Sequence, residues 1–224
     1  LVAPGPVMAG AESFSVTIAG KGGHGALPHL SVDPILAASH IVTALQSIAS
    51  RSIDPLDSVV VSVTAIHGGD AFNVIPPQVE LKGTVRAFSA QVKRDLLQRF
   101  HEIVEGIATS MGCSAQIIFD EITPPVVNDA ALAARIARLS QGLFPDDVLD
   151  TESRTMGSED MAFMMGDIPG CFFFVGSNNS EKGLDAGHHH PKFDFDERAL
   201  VRAVALMATA AADILTDTQR QLDE

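Results

Sequence analysis

Four places in the sequence carry side chains able to do chemistry. The densest is the run His188-His189-His190, directly before Pro191-Lys192-Phe193-Asp194. A catalytic zinc or manganese centre needs three or more His, Asp, Glu or Cys ligands and usually an open position for water. Pro191 stiffens the exit of the run and restricts His190, so a fixed loop presents a ring nitrogen to a metal. The competing reading is a solvated loop, and no other stretch of the chain offers obvious partners to complete a site. His24 is the second candidate, with His29 beside it, in the glycine-rich loop Gly20-Lys21-Gly22-Gly23-His24-Gly25. Glycines let backbone approach a ligand closely, and a phosphate cradle is one use of that. The spacing is not that of a P-loop, however, and no hydroxyl residue follows the lysine. An imidazole in that place polarises a carbonyl; a simple turn is the plainer alternative. Asn73 and Arg86, the third candidate, bracket a strand, and Arg is the natural bidentate partner of a carboxylate, although a lone Arg at a strand end is more often a surface residue. Glu159-Asp160, behind Gly157, is the fourth and reads first as dipole partners at a helix start. His40 and His101 fall within helices and His67 precedes a Gly-Gly turn, all with structural readings.

The elements that must position these groups form two regions. Phe14, Val16 and Ile18 alternate with polar residues from Glu12, which predicts a half-buried strand. Asp33 caps a helix with Pro34 at its first position, and Ile35, Ala38, Val42, Leu45 and Ile48 form its apolar stripe. Ser58 to Ile66 is a second strand, and Val79 to Val85 centres a third. Ser89 caps a second helix that Gly112 ends, and Ser114 to Phe119 is the fourth strand. The order is β-α-β-β-α-β, the ferredoxin-like arrangement.

Thr123-Pro124-Pro125 breaks that pattern. Beyond it the spacing predicts a helix from Asp129 to Leu143, a short strand from Val148 to Thr151, and a helix or tight turn opened by Gly157-Ser158-Glu159-Asp160. The wholly apolar Cys171 to Val175 predicts a strand buried on both faces, and Leu200 to Leu215 an Ala-rich helix capped by Asp196. Alternating strand and helix fit a layered α/β domain, but two or three strands make only half of one.

Bulk properties narrow the function classes. The 224 residues carry 28 acidic against 15 basic side chains, a formal charge of −13, which argues against nucleic acid or an anionic membrane surface as partner. Cys113 and Cys171 are too few and too far apart for a disulfide framework, so a reducing, cytoplasmic setting is expected. No signal peptide is visible, and Arg198, Arg202 and Asp213 interrupt the last helix, so no membrane span is expected. Leu1, followed by Ala3-Pro4-Gly5-Pro6, reads as a start in mid-protein.

Taken in order, Gly20 to His29, Asp33-Pro34, Gly68-Gly69-Asp70-Ala71-Phe72-Asn73-Val74-Ile75-Pro76, Gly83-Thr84-Val85-Arg86, Met156-Gly157-Ser158-Glu159-Asp160, Pro169-Gly170 and His189-His190-Pro191-Lys192-Phe193-Asp194 resemble the M20 metallopeptidase family. The branch resembled is that of N-acyl-amino-acid, hippurate and auxin-conjugate amidohydrolases, and the resemblance covers nearly the whole chain. It implies a linker over residues 1–11, a ferredoxin-like lid and dimerisation domain over 12–122, and the C-terminal part of an α/β catalytic domain over 123–224. It further implies a homodimer formed through the lid, two divalent ions (zinc or manganese) in the full-length enzyme, and a small N-acylated amino acid as substrate. By resemblance His189 is a metal ligand, His24 stabilises the oxyanion in the partner subunit's site, and Asn73 and Arg86 bind the substrate's carboxylate or carbonyl oxygen. Gly157 to Asp160 shapes the site wall. The N-terminal part of the catalytic domain, with most ligands and the general base, has no match in these residues. The chain alone is therefore expected to be metal-free and inactive. The rival reading is a non-catalytic ferredoxin-like module for dimerisation or small-molecule binding, since that fold hosts many functions.

Overall fold

A computed structural model describes residues 1–223, with side chains described through Thr216. In chain order the elements are β1 (Gly5–Met8), β2 (Gly10–Ala19), β3 (Gly23–His24), α1 (Pro34–Ser47), β4 (Val59–His67), β5 (Val74–Ile75), β6 (Gln78–Ala87), α2 (Ala90–Ser110), β7 (Ser114–Thr123), β8 (Val126–Asn128), α3 (Ala130–Leu143), α4 (Met161–Met165) and α5 (Arg198–Asp223). They fall into two compact units. A sheet unit holds Met8–Val126 with Thr155–Met164, and a helical unit holds Leu1–Val7, Val127–Arg154 and the chain from Met165 onward.

In the sheet unit four antiparallel strands lie in the order β4-β6-β2-β7. Strict alternation along β2 and β6 sends one set of side chains to a single face. Phe14 stands opposite Gly83, Val16 opposite Leu81 and Ile18 opposite Val79. That face meets Ala38, Ile41 and Leu45 of α1 and Leu96, Phe100 and Val104 of α2 in one core. Phe14, Phe100 and Phe119 interlock, with ring centroids 4.8 Å, 5.1 Å and 6.2 Å apart. Gly83 makes room for this packing: a Cβ there would lie 2.0 Å from the Ser62 carbonyl oxygen and 2.3 Å from the Phe14 ring.

The caps are those the sequence announces. Asp33 Oδ1 accepts from the backbone N–H of Ile35 at 2.8 Å and of Leu36 at 3.3 Å, and Ser89 Oγ accepts from Val92 N–H at 3.1 Å. Gly112 leaves α2 at φ +76°, where glycine alone is unstrained. One carboxylate sits on the buried face of β2. Glu12 is 6% exposed and meets Lys93 Nζ at 2.7 Å, which also holds Glu121 at 2.7 Å. The last strand runs to Thr123, beyond the expected Phe119, because it keeps pairing with β2 past an irregularity at Ala11/Glu12. Its polar Asp120 and Glu121 hid that extension.

The helical unit is built on α3 and α5, with Val2, Ala133, Ile136, Leu206 and Ala210 as its core. Asp129 Oδ1 caps α3 through Leu132 N–H at 2.8 Å, and Arg135 Nε meets Asp213 of α5 at 2.5 Å. Two expected strands are corrected here. Cys171 to Val175 is half-buried but belongs to no ladder. Its backbone groups bond instead to one side chain and to the first residue. Asn128 donates to Phe172 O at 2.8 Å and accepts from Phe172 N–H at 2.7 Å. Phe174 N–H donates to Leu1 O at 2.9 Å. Val148 to Thr151 is likewise irregular, with Asp150 O accepting from Val2 N–H at 2.8 Å. An apolar run signals burial, not the presence of a pairing neighbour.

By length and composition Arg198–Thr216 is apolar enough to cross a membrane. Its charges are committed elsewhere: Arg202 to Asp147 at 2.7 Å and Asp213 to Arg135. Leu206 and Ala210 pack in the unit's core.

Candidate functional site

His24 is placed by backbone geometry. β3 and β5 form a short antiparallel ribbon in which His24 pairs with Val74 and Gly23 with Ile75. Gly25 N–H extends the contact to Asn73 O at 2.8 Å. The glycines of this loop are there for close approach. A Cβ on Gly22 would stand 2.9 Å from Ile75 O, and one on Gly25 3.2 Å from Asn73 O. Two tight turns result, one closed by Leu27 N–H to His24 O at 2.8 Å and the other by Val74 N–H to Ala71 O at 3.4 Å. The ring itself is oriented: Ala26 N–H donates to His24 Nδ1 at 3.0 Å. A neutral imidazole accepting at Nδ1 carries its proton on Nε2, so the exposed edge of His24 is a hydrogen-bond donor. Asn73 is exposed beside it. The structure brings His24 and Asn73 together.

It does not bring Arg86 to them. Arg86 lies near the far end of β6, paired with Ala11 of β2 and Val60 of β4. From Gln78, where β6 begins next to β5, eight residues of strand span about 26 Å. At that end Nη1 of Arg86 donates to Met156 O at 2.8 Å and to Ser158 Oγ at 3.5 Å. The segment containing Met156 and Ser158 is held against the same unit by Ala9 N–H, which donates to Thr155 O at 3.2 Å and Gly157 O at 3.0 Å. The segment Met156 to Ser158 is thus fastened by Arg86, a contact across 70 residues of chain with no signal in the local sequence.

The three histidines, in the helical unit, differ from one another. His188 stacks edge-on with Phe193, centroids 5.0 Å apart. His190 Nδ1 accepts from Lys192 N–H at 3.1 Å. His189 has φ +64° and is the one non-glycine residue at positive φ among the described residues. Histidine tolerates this region better than most residues, yet it costs on the order of 1 kcal/mol and concentrates at functional positions. The backbone strain distinguishes His189 from its neighbours, although all three side chains are exposed.

Asp196 does more than the helix capping the sequence shows. It is 6% exposed and closes the loop that carries the histidines. Its N–H donates to Ser177 O at 2.8 Å. Its carboxylate accepts from Asn179 at 2.5 Å and from Arg198 at 2.7 Å and 3.0 Å, with Lys182 at 3.3 Å. The Arg198 guanidinium foremost, then the Asn179 amide, hold its pKa well below the usual carboxylate range.

Among the described residues no three His, Cys, Asp or Glu side chains gather as a metal-holding group. His189 is one prospective donor, and these residues alone do not fit a metal pair. Both cysteines are free. Burial, with Asp129 second, pushes the Cys171 thiol up to about 11, which suits packing rather than reactivity.

Comparison with known proteins follows the same division. Residues 9–110 match the family model of the M20 peptidase dimerisation domain. Over 217 residues the chain is 40% identical to IAA-amino acid hydrolase ILR1-like 4 of Arabidopsis thaliana, which covers 95% of this chain and 49% of that protein. It is 38% identical over 221 residues to N-acetyl-L-cysteine deacetylase of Bacillus subtilis, covering 96% and 50%. Among solved structures, the YXEP protein of Bacillus subtilis, described as a dinuclear metal-binding peptidase of the M20 family, superposes with a TM-score of 0.77 at 31% identity. That match covers 96% of this chain and 52% of that one. The chain spans about half the length of the curated relatives it matches.

Proposed function

From the premise that this chain belongs to the M20 amidohydrolase family, we propose that the whole protein is a metal-dependent hydrolase of N-acyl amino acids. Its sheet unit is read as a ferredoxin-like lid through which two copies associate. Two divalent ions, zinc or manganese, are its proposed cofactors, with His189 among their ligands. The remaining donors are placed in the half of the relatives' length that these residues do not cover, so the 224 residues alone are expected to be inactive.

One observation carries the reading. The Ala26 N–H to His24 Nδ1 bond fixes a donor on the exposed edge of the ring, and a donor held in place is what a carbonyl oxygen needs as it becomes an oxyanion. Asn73, on the adjoining turn, supplies a second polar group to the same oxygen. Arg86 is assigned the substrate carboxylate through its Nε–Nη2 edge, since Nη1 is engaged with Met156.

Because about 26 Å of strand separates the two ends of one lid, His24 and Arg86 of the same copy cannot touch one small substrate. We infer that His24 and Asn73 serve the partner's site while Arg86 serves its own. Subunit mixing tests this. His24→Ala and Arg86→Ala homodimers of the whole protein should each lose at least a hundredfold in kcat/KM for N-acetyl amino acids. Mixed dimers should regain one working site of two. Mixtures that stay dead would refute the cross-subunit arrangement, and a whole protein that hydrolyses no N-acyl amino acid would favour the non-catalytic module.

A further inference from the structure

Phe72 is fully solvent-exposed, yet it is not on a loose segment. It is the second residue of the Ala71–Val74 turn, whose far side is tied to the His24 turn by Gly25 N–H to Asn73 O. Leu27 and Val74 on the same two turns, and Leu30 on the short helical turn that follows Leu27, are each about half exposed. Val74 is the direct cross-strand partner of His24, so the two side chains share a face. None of the four residues belongs to the sheet unit's core or packs against it. A single exposed apolar residue needs no explanation. Three on two hydrogen-bonded turns and a fourth on the helical turn beside them, next to a preoriented donor, do, because exposed apolar patches of this kind mark contact surfaces.

The carbonyl that His24 would bind says what they contact. Its carbon bears two substituents: the acyl chain, and the amide nitrogen leading to the amino acid's carboxylate. The carboxylate is matched to Arg86, which cannot come from this end of the lid. The group left beside His24 is the acyl chain, and the side chains there are apolar. We propose that Phe72, with Leu27 and Val74 on the same two turns, is a specificity-determining residue that packs against the acyl chain and selects apolar acyl groups over acetyl. This rests on the reading of His24 as the oxyanion donor.

The test uses the whole metal-loaded protein and a series of N-acetyl, N-hexanoyl and N-benzoyl derivatives of one amino acid. Phe72→Ala should lower the benzoyl-to-acetyl ratio of kcat/KM roughly tenfold, mainly through KM of the larger substrates, with Phe72→Leu intermediate. An unchanged ratio, or an equal loss on every substrate, overturns the proposal. So does a Phe72→Ala protein that sediments as a monomer where the parent is a dimer, because Phe72 would then be a contact between copies. A parent protein inactive on the whole series defeats the amidohydrolase reading itself, an outcome distinct from an active parent whose acyl preference ignores Phe72.

Discussion

The sheet unit and the helical unit solve the same packing problem to different degrees. In the first, each of the four strands is paired and the inward face is closed by two helices around Phe14, Phe100 and Leu45. In the second, the run around Phe172 is held by one asparagine and the first residue. Leu200, Val201, Val204 and Met207 of α5 remain more than half exposed. Burial of apolar area is the main source of stability, so the sheet unit holds most of it. The helical unit holds the strained His189 loop on a thinner core.

The sharpest way to break this contrast is to remove one large side chain from each core. Phe100→Ala should cost about 3–5 kcal/mol and abolish the sheet unit's cooperative unfolding transition at moderate denaturant. Leu206→Ala should cost about 2 kcal/mol, the low end for a leucine, because its surroundings can collapse around it. Equal losses in denaturant titration would show that the helical unit is as well packed as the other.

A smaller effect than at Phe100 is expected at Asn128, whose buried amide donates to Ala3 O and Phe172 O, both at 2.8 Å, and accepts from Phe172 N–H. Asn128→Ala should cost about 2 kcal/mol, and amide exchange should quicken at Phe172 while Phe14 and Leu81 stay protected. Faster exchange in the sheet as well would deny the two units their separate stabilities.

The smallest effect is one of pH. Asp196 has a folded-state pKa below its unfolded value, set first by Arg198. Its contribution is therefore present above the unfolded value of about 4 and is lost as pH falls through the lower folded one. Exchange protection of residues 179–196 should hold from neutral pH down to about 4 and fail only below it. In Asp196→Asn that acid-dependent step should vanish. Loss of protection between pH 7 and 5 in the parent would assign the loop to another titrating group.

Much of the sheet unit was legible because its signals are local. Asp33-Pro34, Ser89 and Gly112 announce helix ends, and the alternation of Phe14, Val16 and Ile18 announces a strand. The expected site residues His24 and Asn73 proved to be neighbours because glycines at 22 and 25 admit a second backbone. What stayed hidden depends on distant partners. Nothing near Thr155 says that the segment packs beside Ala9 and Arg86, and Cys171 to Val175 reads as a strand whether or not a neighbour is present to pair with it. Nothing in His188-His189-His190 distinguishes the middle residue until its backbone is seen at φ +64°.

The bond from Arg86 to Met156 O has a consequence for the order of assembly. During synthesis the four strands and two helices of the sheet unit are all available once Thr123 has emerged, and such a unit can condense early. The piece that engages the Arg86 guanidinium lies 70 residues further on, and closing so long a loop carries its own entropic cost. Arg86 is thus set in its final place after the sheet that bears it has formed. The segment around Met156 and Ser158 is the last part of that unit to be synthesised.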